Sequence, residues 1–214
     1  MDGVFIAFEG PEGAGKSTQA RLLAARLKDE GRDVVLTREP GGTPIAEQVR
    51  TILLDQANCA MLPETEALLY SAARAQHVGD VIRPALERGA VVVCDRFADS
   101  TLAYQGGGRG LSMEDLRAVQ RLATGGLWPT LRILVDVPVE VGLRRRFGAG
   151  EEVNRLDVAG LDFHRRVRAT YLALAAEDES SWVVVDGNDG VAAVEERIVR
   201  EVARRTDLGL ALRA

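Results

Sequence analysis

Short apolar runs alternate along the chain with longer stretches in which apolar residues recur every three or four positions. Val4–Phe8, Val34–Leu36, Ala90–Cys94, Ile133–Val135 and Trp182–Val185 are continuous apolar runs, the pattern of strands buried on both faces. Helical periodicity covers about 16–30, 44–54, 64–88, 113–124, 139–147, 160–178 and 190–206. Thr43-Pro44 suits an N-cap followed by a first-turn proline. Ser112-Met113-Glu114-Asp115 reads as a variant capping box, and Gly125-Gly126 before Trp128-Pro129 as a helix stop and turn. Strands separated by helices predict an α/β chain with a parallel sheet covered on both sides and right-handed crossovers. No repeat or linker divides the 214 residues, so one domain spanning 1–214 is expected. Residues 147–158, rich in charge and glycine and set between two helices, are expected to form a lid; an ordinary surface loop is the plainer alternative.

Composition narrows the class. With 46 % hydrophobic and 28 % charged residues the chain is neither disordered nor fibrous, and it can bury a core without disulfides. Cys59 and Cys94 are far apart and in no ligand spacing, which argues against a disulfide scaffold or a zinc site. A net charge of −5 argues against general attraction to nucleic acid. No apolar run is long enough to span a bilayer and the N-terminus lacks a signal-type pattern, so the cytoplasm is the expected compartment. Of 27 basic residues all but Lys16 and Lys28 are arginines, so a tightly held anion would mostly meet guanidinium forks. Cys94 reads as a core residue and Cys59 lacks activating neighbours. His77 and His164 read as isolated surface or satisfied residues, and Arg165-Arg166-x-Arg168 as a solvated helix face.

The sharpest chemistry lies at Gly10-Pro11-Glu12-Gly13-Ala14-Gly15-Lys16-Ser17, a full match to G-x-x-x-x-G-K-[ST] that follows the first strand and opens the first helix. Glycines let successive amides point at phosphate oxygens, and the helix start adds positive charge. Lys16 is placed to reach β- and γ-phosphates and Ser17 to ligate Mg²⁺, while Thr18 completes the ATP-binding stretch. Switch GTPases, ATPases and small-molecule kinases share this cradle. The chain has no Asn-Lys-x-Asp guanine reader, and the next acidic strand end is Asp95-Arg96, an arginine suited to a second anion. These features favour a kinase. A nucleotide-dependent switch or ATPase acting on a partner is the alternative, as is a related nucleotide kinase with another acceptor.

Asp95-Arg96-Phe97-Ala98-Asp99-Ser100-Thr101-Leu102-Ala103-Tyr104-Gln105 resembles the thymidylate kinase signature. Phe8-Glu9-Gly10, Thr37-Arg38-Glu39-Pro40-Gly41-Gly42-Thr43 and Asn154-Arg155-Leu156-Asp157 agree with it in order, and the resemblance covers about residues 3–205. It implies a P-loop nucleoside monophosphate kinase: a three-layer fold with a five-stranded parallel sheet and a closing lid, a homodimer, transferring the γ-phosphoryl of Mg·ATP to dTMP. It further implies that Arg38 and Arg96 grip the acceptor phosphate and that Tyr70 stacks on thymine. Arg74 would donate to the base, Thr101 and Gln105 would line the dTMP site, and Tyr104 would close off the sugar 2′ position. Glu12 would face the sugar 3′-hydroxyl, Asp95 would sit on the Mg²⁺ side, and a lid arginine, Arg146 or Arg155, would stabilise the transferring phosphoryl. Adenine contacts are expected near Asp186-Gly187-Asn188.

Overall fold

The structure, a computed structural model, describes residues 3–148, 150 and 154–210. Five strands form one parallel sheet in the order β2-β3-β1-β4-β5. They are β1 (Val4–Glu9), β2 (Val34–Arg38), β3 (Val91–Asp95), β4 (Leu131–Asp136) and β5 (Trp182–Asp186). Each apolar run identified in the sequence falls in a strand, save Ala90 just before β3, and the strands extend past those runs at their carboxyl ends. Backbone pairing, not side-chain polarity, sets where a ladder stops: Phe8 and Arg38 both pair with Asp95, and Asp136 pairs with Asp186. The polar terminal residues Glu9, Arg38 and Asp95 are thereby gathered along one sheet edge, where open α/β sheets bind ligands.

Side chains alternate between two faces. Ile6, Phe8, Val91, Val93, Ile133, Val135 and Val185 pack with Leu23, Leu27, Ile198 and Val202 of α1 (Lys16–Asp29) and α9 (Val191–Arg205). On the other face Phe5, Ala7, Val92 and Cys94 meet Ile82, Ala85 and Phe97. Leu134 and Trp182 meet Tyr104, Val167 and Tyr171 there, the last two from α8 (Leu161–Glu177). Cys94 is fully buried in this core, as expected, and burial raises its thiol pKa. Thr43 caps α2 (Pro44–Leu54) by accepting the Ala46 N–H, and Ser112 caps α6 (Met113–Thr124) by accepting that of Asp115.

Two helical regions depart from expectation. The stretch read as one helix, 64–88, is α3 (Pro63–His77), a wider π-type turn (Val78–Ile82) and α4 (Arg83–Glu87). Pro84 cannot donate to the carbonyl four residues back, and the widened turn lies directly before it. No helix was expected after Phe97, where α5 (Ala98–Thr101) continues into a π-type turn through Gly108. The glycines of this turn serve close packing. A Cβ on Gly107 would sit 1.9 Å from Thr170 Oγ1, and one on Gly108 would sit 2.5 Å from the Phe163 ring. That contact brings α8 against the turn that carries Tyr104 and Gln105.

Below this turn lies an unusual strand residue. Arg132 on β4 is 8 % exposed, and its guanidinium sits between the rings of Trp128 and Trp182, 5.4 and 5.5 Å from their centroids. Its Nε lies 3.1 Å from Asp99, the neighbour of Ser100 on α5, and Nη1 3.4 Å from Asp178. The arginines expected to form a solvated face are tethered within the chain: Arg165 to Glu140, Arg166 to the carbonyls of Gly107 and Gly108, and Arg168 bidentate to Asp136.

Candidate active site

After β1 the backbone turns through Gly10–Gly15 into α1, whose N-cap Gly15 offers no side-chain cap. The first amides of α1 are therefore left to an anion. Lys16 is 5 % exposed and its Nζ donates to the Pro11 carbonyl at 2.6 Å, so the ammonium is folded back over the loop. Burial and the neighbouring Arg96 bring its pKa down to about 8, against the pull of Glu12. The Ser17 hydroxyl donates to Asp95 Oδ2 across the sheet edge, with Thr18 half-buried beside it. A glycine pair locks the cradle to α7 (Val139–Gly148), the helix leading into the expected lid. A Cβ on Gly13 would stand 1.9 Å from the Gly142 carbonyl oxygen, and one on Gly142 would stand 2.2 Å from the Glu12 carbonyl oxygen.

Arg96 stands at the centre of the site. Its Nη2 donates to Glu12 Oε1 at 2.8 Å and to the Tyr104 hydroxyl at 3.1 Å, while Nη1 donates to the Gly10 carbonyl at 3.1 Å. Tyr104 also donates to Glu12 at 2.9 Å. Burial opposes charge on Glu12, but Arg96, Lys16 and the Tyr104 hydroxyl outweigh it and hold its pKa down at about 2. Burial likewise works against Arg96, and Glu12 more than reverses it, so the guanidinium keeps its proton firmly. Arg38 is about half exposed and pairs with Glu47 at 3.0 Å. Arg50, given no role from sequence, joins it: both donate to the Pro40 carbonyl, at 3.1 and 2.9 Å, and both line the same cavity.

Tyr70, Arg74, Thr101 and Gln105 line that cavity too, so the structure brings the expected base-side residues together. Arg74 is more committed than its expected role implied. It is 2 % exposed and donates to Glu39 at 2.7 Å, Thr101 Oγ1 at 3.0 Å, Gln120 at 2.5 Å and the Phe97 carbonyl at 3.0 Å. Four N–H donors are thus engaged, and the guanidinium frames the cavity wall more than it projects into it. Glu39 also meets His77 Nδ1 at 3.0 Å, and Thr37 meets Nε2 at 2.7 Å, so His77 is a satisfied core residue. Gln105 is held by the fully buried Glu66 at 2.6 Å. The anchoring roles of Glu39, quoted only as part of a family segment, and of Glu66 escaped sequence reasoning because nothing local distinguishes a buried carboxylate anchor from an exposed helix or loop acid.

The two candidate lid arginines have different places. Arg146 lines the cavity from α7 and pairs with Asp157 at 2.9 Å. Arg155 is 7 % exposed, pairs with Glu66 at 2.5 Å and donates to the Leu53 carbonyl at 3.2 Å. It serves here as a tether, not a cavity residue. Arg144 is exposed, while Arg145 donates to the Gly187 carbonyl at 2.9 Å, next to the loop expected to meet adenine. Gly187 itself packs on the Ala14 carbonyl of the cradle. Of the expected lid, Ala149 and Glu151–Val153 lie outside the described residues.

One cavity of about 400 Å³ joins the cradle (Gly13, Lys16, Ser17), Arg96 and the Tyr70–Thr101 wall. It is therefore a two-ended site, with a phosphate cradle at one end, the wall of Tyr70, Thr101 and Gln105 at the other and Arg96 between. Among the described residues, no helix is long and apolar enough to cross a membrane. Comparison with known proteins agrees with this layout. The thymidylate kinase family model matches residues 8–198. A thymidylate kinase of Thermomicrobium roseum is 58 % identical over 204 residues, covering 94 % of this chain and 96 % of that protein. One of Geotalea uraniireducens is 50 % identical over 208 residues, covering 95 % and 98 %. The crystal structure of thymidylate kinase from Ehrlichia chaffeensis superposes with a TM-score of 0.77 at 29 % identity, covering 94 % of this chain and all of that one. On the family match and these full-length relatives, the chain belongs to the thymidylate kinase family.

Proposed function

We propose that this protein transfers the γ-phosphoryl group of ATP to the 5′-phosphate of dTMP, giving ADP and dTDP. The observation that carries the reading is the continuous cavity in which Arg96 separates a complete phosphate cradle from the pocket walled by Tyr70, Thr101 and Gln105. An acceptor-phosphate oxygen attacks the γ-phosphorus in line as its bond to the bridging β–γ oxygen breaks, and the electron pair leaves with ADP. The chain supplies positioning and charge more than acid–base chemistry. Lys16 and the loop amides hold the donor phosphates, and Arg38 and Arg96 hold the acceptor phosphate. Arg146, the candidate lid arginine that lines the cavity, meets the charge on the transferring group.

Glu12 accepts a hydrogen bond from Arg96. When the acceptor phosphate takes that place, the carboxylate turns to the sugar 3′-hydroxyl, with Tyr104 beneath it closing the 2′ side. Tyr70 stacks on the thymine, Thr101 and Gln105 line its edge, and Arg74 holds that wall. The donor set fits magnesium: the Ser17 hydroxyl and the Asp95 carboxylate, two hard oxygens already in hydrogen-bond contact, face the cradle. Mg²⁺ held there would neutralise charge on the β- and γ-phosphates. The unit works as one P-loop domain, 1–214, with 147–158 as its lid, in the cytoplasm and as a homodimer. Leu68 and Leu122, 58 % and 85 % exposed on the packed pair α3 and α6, offer an apolar face for the partner copy.

A coupled ADP-release assay with Mg·ATP and dTMP, dUMP, CMP, AMP, thymidine or no acceptor tests this. The expected result is turnover dependent on dTMP and abolished in Lys16→Ala and Arg96→Ala. ADP release indifferent to the acceptor and intact in Arg96→Ala would instead favour a switch or ATPase.

A further inference from the structure

Arg96 is the one described non-glycine residue with a positive φ, 71°. A left-handed conformation at such a residue costs about 1–2 kcal/mol and persists only where its surroundings impose it. Those surroundings converge on Glu9, the last residue of β1, which is fully buried and does not line the cavity. One carboxyl oxygen, Oε1, accepts the N–H of Phe97 at 2.8 Å, the peptide immediately after Arg96. The other, Oε2, accepts the hydroxyls of Ser100 at 2.6 Å and Tyr171 at 2.9 Å. Those hydroxyls are 2.7 Å apart, and each lies 3.3 Å from Arg96 Nη1 as an acceptor. Glu9 therefore holds Arg96 at both ends, by the backbone just past the strained residue and by the hydroxyl pair beneath its guanidinium.

Resting on the reading of Arg96 as the acceptor-phosphate clamp, we infer that Glu9 is the positioning residue that aims this clamp. The residue type follows from the donors it meets. Three N–H and O–H groups converge on it, and only a carboxylate offers two accepting oxygens to receive them. A glutamine keeps the shape but replaces one acceptor with an NH₂ donor, which competes with Arg96 for the hydroxyl oxygens. Burial, with Asp99 close by, pushes the Glu9 carboxyl up to about 7, while Ser100, Arg96 and the Phe97 N–H pull it back.

The test compares dTMP with thymidine, which lacks the phosphate, by calorimetric titration of wild type, Glu9→Gln and Tyr171→Phe, alongside steady-state KM for ATP. Wild type is expected to bind dTMP much more tightly than thymidine. In both variants this preference should shrink by about tenfold or more, since displacements near 1 Å in a positioned group cost up to about a hundredfold. Thymidine affinity and KM for ATP should stay within about twofold, which a merely structural role would not arrange. An undiminished preference in Glu9→Gln, or an equal loss for both ligands, overturns the inference. Wild type that binds dTMP no better than thymidine overturns the functional reading and this inference together. Tyr171→Phe, which removes one hydroxyl and keeps the ring, carries the test if Glu9→Gln fails to fold.

Discussion

The contact between Gly13 and Gly142 makes Gly142→Ala a sharp probe of how the phosphate cradle is held. The new methyl would begin 2.2 Å from the Glu12 carbonyl oxygen and 3.3 Å from Val137 Cγ2, while ordinary contact begins at 3.4 Å. Neither neighbour is the end of a long flexible side chain, so α7 and the cradle must part by about 1 Å. Two effects on stability oppose each other. Overpacking a close-packed contact costs about 1–3 kcal/mol, and alanine in a helix gains about 1 kcal/mol over glycine. The net loss is therefore about 0–2 kcal/mol, a drop of at most about 8 °C in Tm for a chain of this size.

Catalysis has no such offset. Glu12, Lys16 and the loop amides ride on the displaced segment, and a misplacement of about 1 Å costs up to about a hundredfold. The expected outcome is a well-folded enzyme whose kcat/KM for ATP falls by roughly that factor. Gly79→Ala, outside the proposed lid and with open space at its Cβ, serves as the control and should leave both Tm and kcat/KM nearly unchanged. Gly142→Ala that keeps more than about a third of wild-type kcat/KM would refute the idea that this contact registers the cradle.

Three further outcomes are expected. Tyr70→Ala should raise KM for dTMP by about tenfold while Tyr70→Phe changes it little, because stacking and not the hydroxyl is at stake; steady-state kinetics with dTMP varied would show otherwise if both variants behaved alike. Arg146→Ala should lower kcat by about 10³-fold, whereas Arg155→Ala should leave kcat nearly unchanged; each removes one side of a buried ion pair, Asp157 for Arg146 and Glu66 (which keeps Arg109 and Gln105) for Arg155, so both melts should fall, and kinetics that show the reverse would exchange the two roles. Glu9, raised to about 7 from 4.5, stabilises the fold fully below about pH 4.5 and loses that contribution as pH rises through 7, so Glu9→Gln should gain about 3 kcal/mol relative to wild type between pH 4.5 and 8. Denaturant unfolding at both pH values checks this, and a constant gap would contradict it.

What was readable beforehand divides along physical lines. The strands and most helices follow from apolar periodicity because burial is what that pattern encodes. The cradle was legible because its glycines and lysine are adjacent in sequence and open a helix. Legibility failed where a residue's task depends on a neighbour distant in sequence. Nothing near Gly107 and Gly108 in the sequence tells that they make room for Thr170 and Phe163. Glu66 carries no local mark, and Glu39 stands in a family segment that gives it no role, although Gln105 and Arg74 take their positions from them. Arg155 matched a family motif, yet only its burial against Glu66 separates it from Arg146. The widened turn at Val78–Ile82 was foreshadowed by Pro84 alone.

Arg132 carries a spectroscopic consequence. The chain has two tryptophans, Trp128 and Trp182, and both flank this one guanidinium. Arg132 also reaches Asp99, which immediately precedes the Ser100 that meets Arg96 and Glu9. Indole emission responds to nearby charge, so the intrinsic fluorescence of the whole protein samples one short path leading to the acceptor pocket. Ligand that moves α5 changes the field at both indoles together, while nucleotide held in the cradle alone acts on neither directly. The unlabelled protein thus contains its own optical gauge of the acceptor end of the cleft.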